Sequence, residues 1–330
     1  MTNSWQLWRH VGSSVALLFA AGSISGALLP GEAVAQAYPS KVIRIIGQVA
    51  SGSVGDVVAR LVAPVLSSKL GKPVIIENRP GGGGTIGANE VARAAPDGHT
   101  LLFGGVNHII VSKTLDYDPI KDFVPIATIA THHWVLVVAP TVSARSVKEL
   151  IEHAKAKPGK LTWGFGQGSA PQMLGEMFKA AAGIELADIP YKSGTQAIPD
   201  MLGGRIDMNF GTVSNLLPLI REGKLRALAI TSEARSAELS HVPTMAESGY
   251  PALTRGSWTG LWGPAGIPAS IVSRLNSEVE ASVTTPVVQT AMKKFDFEPK
   301  LLSSREFAAF ILDEAAAWTP AAKAAGILSR

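Results

Sequence analysis

The residues best suited to chemistry in this sequence are small ones, grouped in two short loops. They are Ser51, Gly52, Ser53 and Gly55 in the first loop and Gly166, Gln167, Gly168, Ser169 and Ala170 in the second. Small side chains leave backbone N–H groups accessible, and serine adds a hydroxyl. A loop that leads into a helix also gains the positive end of the helix dipole. The first loop predicts a site for a small anion, with a tight turn of any α/β protein as the alternative interpretation, and the second loop repeats the strand–loop–helix arrangement.

The elements around the first loop are predicted from local patterns. Residues 42–46 are rich in β-branched side chains and short, which is typical of a buried strand. Apolar residues then recur at the spacing of one helix face, at Val58, Leu61, Val62, Val65 and Leu66. Asp56 is expected to cap this helix and Gly71 to end it, with Pro64 inside it.

The second loop has the same setting. Residues 161–165 are strand-like, and a helix is predicted from about residue 172 to 182. A further strand over 206–210 ends at Gly211 and Thr212, and Thr212 is a candidate hydroxyl donor. Strands and helices alternate along the chain, which predicts α/β layers with mainly parallel sheets. Residues 122–125, in contrast, are interpreted as loop and turn.

Catalytic motifs are incomplete. Residues 51–55 depart from the G-x-S-x-G elbow because serine stands at the first position, so an exported serine hydrolase using Ser51 or Ser53 is kept only as an alternative. Residues 166–171 lack the third glycine of a dinucleotide fingerprint. The chain has no cysteine, which excludes thiol catalysis and cysteine-bound metal. We therefore expect no enzymatic activity, cofactor or metal.

Two aromatic positions are candidates for ligand contact. His132 and His133 are adjacent, so on a strand they point to opposite faces and do not chelate one ion together. His132 is a candidate contact, with a surface or hinge histidine as the alternative. Phe165 lies beside the second loop and is a candidate for an aromatic wall that suits a flat or apolar ligand body, with a core residue as the more common alternative.

The N-terminus indicates export. Arg9 and His10 precede a mostly apolar run over 11–29, and two overlapping A-x-A sites end at Ala37. This pattern is typical of a cleaved signal peptide over 1–37, with an uncleaved membrane anchor as the alternative. The net charge of the chain is +4, with no run of lysine or arginine, so nucleic acid is not an expected partner.

Several short segments, taken together, resemble one family. They are Tyr38-Pro39-Ser40-Lys41, Asp56 with Ala59-Arg60, Glu77-Asn78-Arg79-Pro80-Gly81, residues 96–102 (PDGHTLL), Asp122-Phe123-Val124-Pro125, Pro190-Tyr191-Lys192-Ser193-Gly194, Gly204-Arg205-Ile206-Asp207, Val242-Pro243-Thr244 and residues 247–251 (ESGYP). Their order and number resemble the Bug (TctC-like) periplasmic solute-binding proteins of tripartite tricarboxylate transporters. The resemblance covers essentially the whole chain after the signal peptide.

The resemblance implies a two-lobed, type II-like periplasmic-binding-protein fold of the α/β class, with a ligand cleft between the lobes. One lobe is expected to span 38–135 plus 253–330 and the other 136–252, with crossings near Trp134 and Thr254. In the family, loops on opposite cleft walls hold a small carboxylate largely through backbone N–H groups and bridging water. Here those loops are 51–55 and 166–170.

The implied role is capture of a small organic carboxylate, aromatic carboxylates included, in the periplasm and delivery to membrane transporter subunits. A sensory role at a membrane receptor is the alternative. The chain departs from the family pattern in the first loop, where residues 48–53 read QVASGS in place of P-F-x-x-G-G. It also has Phe165 where the family carries a serine, and Gly211-Thr212 where an acidic residue is common. These departures point away from a standard dicarboxylate or acidic amino acid.

Overall fold

Strands and helices alternate along the chain. The computed structural model describes residues 38–49, 51–81, 84–110 and 117–328, so the predicted signal peptide lies outside the described residues. The strands are Ile43–Gly47 (β1), Val74–Asn78 (β2), Thr100–Gly105 (β3), Phe123–His132 (β4), Trp134–Val138 (β5), Thr162–Gly166 (β6), Ala187–Tyr191 (β7), Met208–Thr212 (β8), Arg226–Ile230 (β9), Ser257–Pro264 (β10) and Glu298–Pro299 (β11).

The helices follow the strands in the order that an α/β chain predicts. They are Val54–Leu70 (α1), Thr85–Ala92 (α2), Val106–Ile109 (α3), Val147–Ala156 (α4), Ala170–Ala182 (α5), Ile198–Leu202 (α6), Val213–Arg221 (α7), Ala269–Val283 (α8), Pro286–Lys294 (α9) and Ser304–Ala324 (α10). Within the described ranges, none of these helices is both long and apolar enough to span a membrane.

The strands form two sheets. The first has the order β11-β4-β10-β3-β1-β2 and the second β7-β6-β8-β5-β9. The strands that lead into the two loops keep parallel neighbours: β1 pairs with β2 and β3, and β6 pairs with β7 and β8. The remaining pairings are antiparallel. The prediction of mainly parallel sheets was therefore wrong, because β4, β5 and β10 run against their neighbours where the chain passes between the sheets.

Strand β4 was missed from the sequence. Residues 122–125 were interpreted as loop, but β4 begins at Phe123 and continues for ten residues. Pro125 lies opposite Trp262 where the pairing with β10 shifts register, and such irregularities are where a sheet tolerates proline. The partner strand is more than 120 residues away in sequence, so no local pattern reveals it.

The chain passes between the two sheets twice. It leaves the first sheet at His132 and enters the second at Trp134, with His133 between them. It returns through residues 254–256 to Ser257, which lies opposite His132. Gly256 fits closely here, since a Cβ at this position would lie 2.8 Å from the His133 ring. The two crossings are thus in contact, while the lobe boundaries at 135/136 and 252/253 stay predictions.

The C-terminal helix α10 connects the two sheets. The sequence predicts one helix at about 304–314 and another at the C-terminus, and the structure joins them in α10, which continues to Ala324 through Pro320. Its start is fixed by a capping box, in which the hydroxyl of Ser303 accepts from the Glu306 amide and the Glu306 carboxylate accepts from the Ser303 amide. One contiguous core cluster includes Trp258 of β10, Trp318 of α10 and Phe165 of β6.

Candidate functional site

The first loop is closed by hydrogen bonds from its own helix. Gly52 adopts a left-handed conformation (φ +78°), and its N–H donates to Oδ2 of Asp56 at 2.8 Å. The Ser53 hydroxyl accepts from the Asp56 amide at 3.4 Å, so Ser53 is the N-cap residue of α1. The prediction that Asp56 is the cap was wrong, because Asp56 is the third residue of the helix. Gly71 ends the helix in a left-handed conformation as predicted.

Asp56 gives the first loop a negative charge of its own. Its carboxylate is buried, and both oxygens accept from Nε of Arg60 at 2.9–3.0 Å. Burial raises the pKa of Asp56, but the hydrogen bonds from Arg60 and the Gly52 amide outweigh burial and hold the pKa below its ordinary value. The Gly52 N–H is therefore already bonded to a carboxylate and is not available to an anionic ligand.

The second loop repeats this construction with a neutral side chain. Gly168 is left-handed (φ +72°), and its N–H donates to Oε1 of Gln172 at 2.8 Å. The Ser169 hydroxyl caps α5 by accepting from the Gln172 amide at 3.4 Å, and it donates to the Gly166 carbonyl at 2.6 Å. Helix α5 starts two residues earlier than predicted because Ser169 caps it and proline is favourable in a first turn. Both loops share the pattern Gly-Ser-x-x-Asp/Gln.

A few first-turn amides remain available for a ligand. In the second loop the Ser169 amide donates to the Gly166 carbonyl at 3.2 Å, and Gln167 donates to Tyr191 at 2.9 Å. The Ala170 amide has no acceptor among the described residues, and Pro171 after it has no N–H to donate. In α1 the Val54 and Gly55 amides also have no acceptor among those residues, since the first turn of a helix lacks internal carbonyl partners.

Thr212 carries an unsatisfied hydroxyl at the end of β8. It is the N-cap residue of α7, yet its side chain makes no capping hydrogen bond. Its Oγ1 is buried and has no partner within the described part of the chain. A buried hydroxyl normally finds a partner in protein, water or ligand. Thr212 therefore fits the predicted role of a donor or acceptor for a bound molecule.

The hydroxyls of both serines in the first loop contact Asp56 at the start of the following helix. Oγ of Ser51 lies 3.4 Å from Oδ2 of Asp56, and the Ser53 hydroxyl is occupied as the cap. No imidazole contacts either hydroxyl among the residues described. The described residues thus contain no serine–histidine pair at this loop of the kind that activates a nucleophilic serine. Nor do the described residues include a cluster of side chains suited to a metal ion.

The two aromatic candidates lie in packed surroundings. Phe165 is buried and stacks on Trp163 with ring centroids 4.5 Å apart. His132 packs edge-on against Trp134 and Phe297 at 6.0 and 5.7 Å. Burial and the neighbouring His133 lower the pKa of His132 to about 3, so its ring is neutral. The structure thus places Phe165 in the core of the second sheet and His132, partly buried, beside the crossing.

Sequence reasoning missed two glutamines beside the loops. Gln172 holds the second loop, as described above. Gln48 precedes the first loop, where it donates from Nε2 to the Gly84 carbonyl at 3.0 Å and lies 3.5 Å from Nδ1 of the buried His108. Gly104 makes room for this side chain, because a Cβ there would be 2.1 Å from its Oε1. The repeated Gly-Ser-x-x-Asp/Gln pattern was the signal available for Gln172, whereas the Gln48 contacts are all distant in sequence.

Comparison with known proteins identifies the family. Residues 58–327 match the model of the tripartite tricarboxylate transporter family receptor. Protein BugT of Bordetella pertussis is 33% identical over 298 residues, covering 88% of this chain and 91% of BugT.

Solved structures agree with this match. A Rhodopseudomonas palustris protein solved with adipate has 32% identity and a TM-score of 0.78, covering 88% of this chain and 99% of its own. MatC from the same organism, solved with malate, has 28% identity and a TM-score of 0.76, covering 86% and 99%. The predicted two-lobed periplasmic-binding-protein fold is thereby confirmed. The chain belongs to the tripartite tricarboxylate transporter receptor family, whose members are periplasmic binding proteins and not enzymes.

Proposed function

We propose that this protein captures a small organic carboxylate in a cleft between its lobes. The observation that carries the proposal is the pair of loops with one construction, each leading from a strand end into a capped helix. The amides of Val54, Gly55 and Ala170 and the hydroxyl of Thr212 are the donors, with Ser53 beside them. Related proteins solved with adipate and malate support a carboxylate as the ligand class.

The two loops differ in the charge they offer to a ligand. Helix α5 has no acidic residue in its first turn, whereas α1 carries Asp56 there. The positive end of the α5 dipole is therefore uncompensated, and a charge at such a site is stabilised by about 0.3–1 kcal/mol, more where it is partly buried. In this proposal a ligand carboxylate lies nearest Ala170, and the first loop contributes the Val54 and Gly55 amides.

A thermal-shift screen tests the ligand class. The panel contains adipate, malate and benzoate, each with its neutral amide as the matched control. A ligand that binds only the folded protein at a hundred times its Kd stabilises it by about 2.7 kcal/mol. We expect at least one carboxylate to raise Tm by several degrees and its amide to have no effect. Equal shifts with acid and amide, or shifts with neutral sugars alone, would contradict the proposal.

Delivery to membrane transporter subunits is the second part of the proposal, and its support is the family match. Uptake of the bound carboxylate by cells is expected to fall on deletion of this protein and to recover on its return. Normal uptake after deletion, with loss of a transcriptional response to the same carboxylate, would favour the sensory alternative.

Export and lobe boundaries belong to the same proposal. The signal peptide is expected to be removed at one of the A-x-A sites within 33–37, and N-terminal sequencing of the secreted protein checks this. The lobes are proposed as 38–135 plus 253–330 and 136–252, and the two sheets follow this division except at Trp134 and Val135, which belong to β5 of the second sheet. The crossings at His133 and Gly256 then form the hinge.

A further inference from the structure

Gln172 contacts two separate elements with one side chain. Its Oε1 accepts from the Gly168 amide at 2.8 Å, and its Nε2 donates to the Ala325 carbonyl at 3.4 Å. Ala325 is the C-terminal cap residue of α10, 153 positions away. The side chain is buried, with 9% of its surface exposed. A carboxamide is needed here, because it accepts at one atom and donates at the other.

Helix α10 carries this contact to the first sheet. Near its start, the Ser304 hydroxyl donates to the Pro125 carbonyl and Phe307 packs edge-on against Trp258, with centroids 5.5 Å apart. Near its end, Trp318 packs edge-on against Trp134 at 6.1 Å. The helix therefore contacts both sheets, and its end lies against the helix that follows the second loop.

The middle of α10 is attached to the crossing segments. Oε2 of Glu314 accepts from the indole N–H groups of Trp258 at 2.8 Å and Trp318 at 3.0 Å. The guanidinium of Arg255, in the return crossing, lies 3.6 Å from the other oxygen. Trp134, against which Trp318 packs, directly follows the outgoing crossing. Glu314 and Trp318, one turn apart in α10, thus contact the return crossing at Arg255 and the residue that follows the outgoing crossing, Trp134.

The first loop has no side-chain connection to α10 among the described residues. Asp56 makes the equivalent bond to the Gly52 amide, but its other partners are Arg60 of its own helix and Asn78 of the neighbouring strand β2. We propose that Gln172 is a positioning residue that couples the second loop to the C-terminal end of α10 and, through this helix, to the two crossings between the sheets. A role for this coupling in ligand capture rests on the proposed function. The test of the coupling uses the ligand-free protein, so the coupling and the proposed function can fail separately.

Amide hydrogen exchange of the full ligand-free chain tests the coupling. Gln172→Glu keeps an acceptor for Gly168 but removes the donor to Ala325. We expect Gly168 to stay protected while exchange at 319–328 rises about threefold, as loss of one modest hydrogen bond predicts. Gln172→Leu is expected to raise exchange in both segments. Unchanged exchange at 319–328 in both variants would overturn the proposal.

A second variant separates coupling from local damage. Trp318→Phe keeps the ring packing but removes the donor to Glu314. We expect it to accelerate exchange at 166–170 in the wild-type background and to add nothing in the Gln172→Leu background. An equal effect in both backgrounds, or no effect on the loop, contradicts the inference. Glu149→Leu is the matched control: it removes the same kind of cap, a 2.8 Å bond from the Arg145 amide, and is expected to leave both segments unchanged.

Discussion

At the scale of residues, the same backbone pattern occurs twice, once with a charged side chain and once with a neutral one. Asp56 and Gln172 hold the same position relative to a left-handed glycine and an N-cap serine. The sequence revealed the glycines and serines because those residue types have strong local preferences. It did not reveal Gln172 as a contact, since Ala325 becomes its neighbour only when the chain folds. Nor did it show that the Gly52 and Gly168 amides are occupied by side chains.

Thr212→Val tests the unsatisfied hydroxyl. Valine keeps the shape of the side chain and removes its hydrogen-bonding atom, so we expect carboxylate binding to weaken by about fivefold, equivalent to roughly 1 kcal/mol. Calorimetric titration measures the change. Thr284→Val is the control, because that hydroxyl donates to the Glu280 carbonyl on an exposed helix end. Equal affinity of Thr212→Val and wild type would remove Thr212 from the site.

Asp56→Asn tests the internal carboxylate. The folded pKa of Asp56 is below its unfolded value, so the ion contributes stability at neutral pH that is lost as pH falls below about 4. We expect the variant to be less stable than wild type by about 1 kcal/mol at pH 7. Denaturant unfolding from pH 7 to 3 should show this difference shrinking as pH falls. The exposed Asp313→Asn serves as control, and a pH-independent difference would argue against the assignment.

At the scale of elements, prediction succeeded where the pattern is local. Strands β1 and β6 were predicted to within one residue of their observed bounds, because the residues that favour a strand lie within the elements themselves. Strand β4 was missed because Pro125 is a turn signal unless the distant β10 pairs with it. Helix α10 was predicted as two helices for the same reason, since no local pattern shows that a helix continues through Pro320 when it packs on both sheets.

His132→Phe tests the crossing between the sheets. The pKa of His132 is lowered to about 3 by burial, below the unfolded value near 6.5, so its stabilising contribution is present above pH 6.5 and falls with acidification. Each such histidine reduces the free energy of unfolding by about 1.4 kcal/mol per pH unit below its unfolded pKa. We expect Phe, which suits the aromatic contacts with Trp134 and Phe297, to flatten this dependence between pH 6 and 4.

The buried His108 has a pKa of about 3 and remains in this variant, so part of the slope should persist. The exposed His241→Phe is the control and should follow the wild-type curve. A His132→Phe curve that coincides with wild type throughout would show that the ring is not held neutral in the folded protein.

At the scale of the whole molecule, the order of short motifs predicted the family and the two-lobed fold, both of which the comparisons confirmed. The ligand was less accessible to sequence reasoning. The first loop departs from the family pattern at Gln48, and the structure shows that side chain turned into the protein toward Gly84 and His108. The order of short motifs therefore identifies the family, whereas the Gln48 contacts beside the first loop join segments that are distant in sequence.

A crystal structure of the complex with the carboxylate that raises Tm most tests the central claim most directly. We predict that the lobes enclose the ligand and that its carboxylate oxygens lie about 3 Å from the Ala170 amide and from the Val54 or Gly55 amide. A carboxylate held by lysine or arginine side chains, or bound to one lobe without contact to either helix start, would contradict the account.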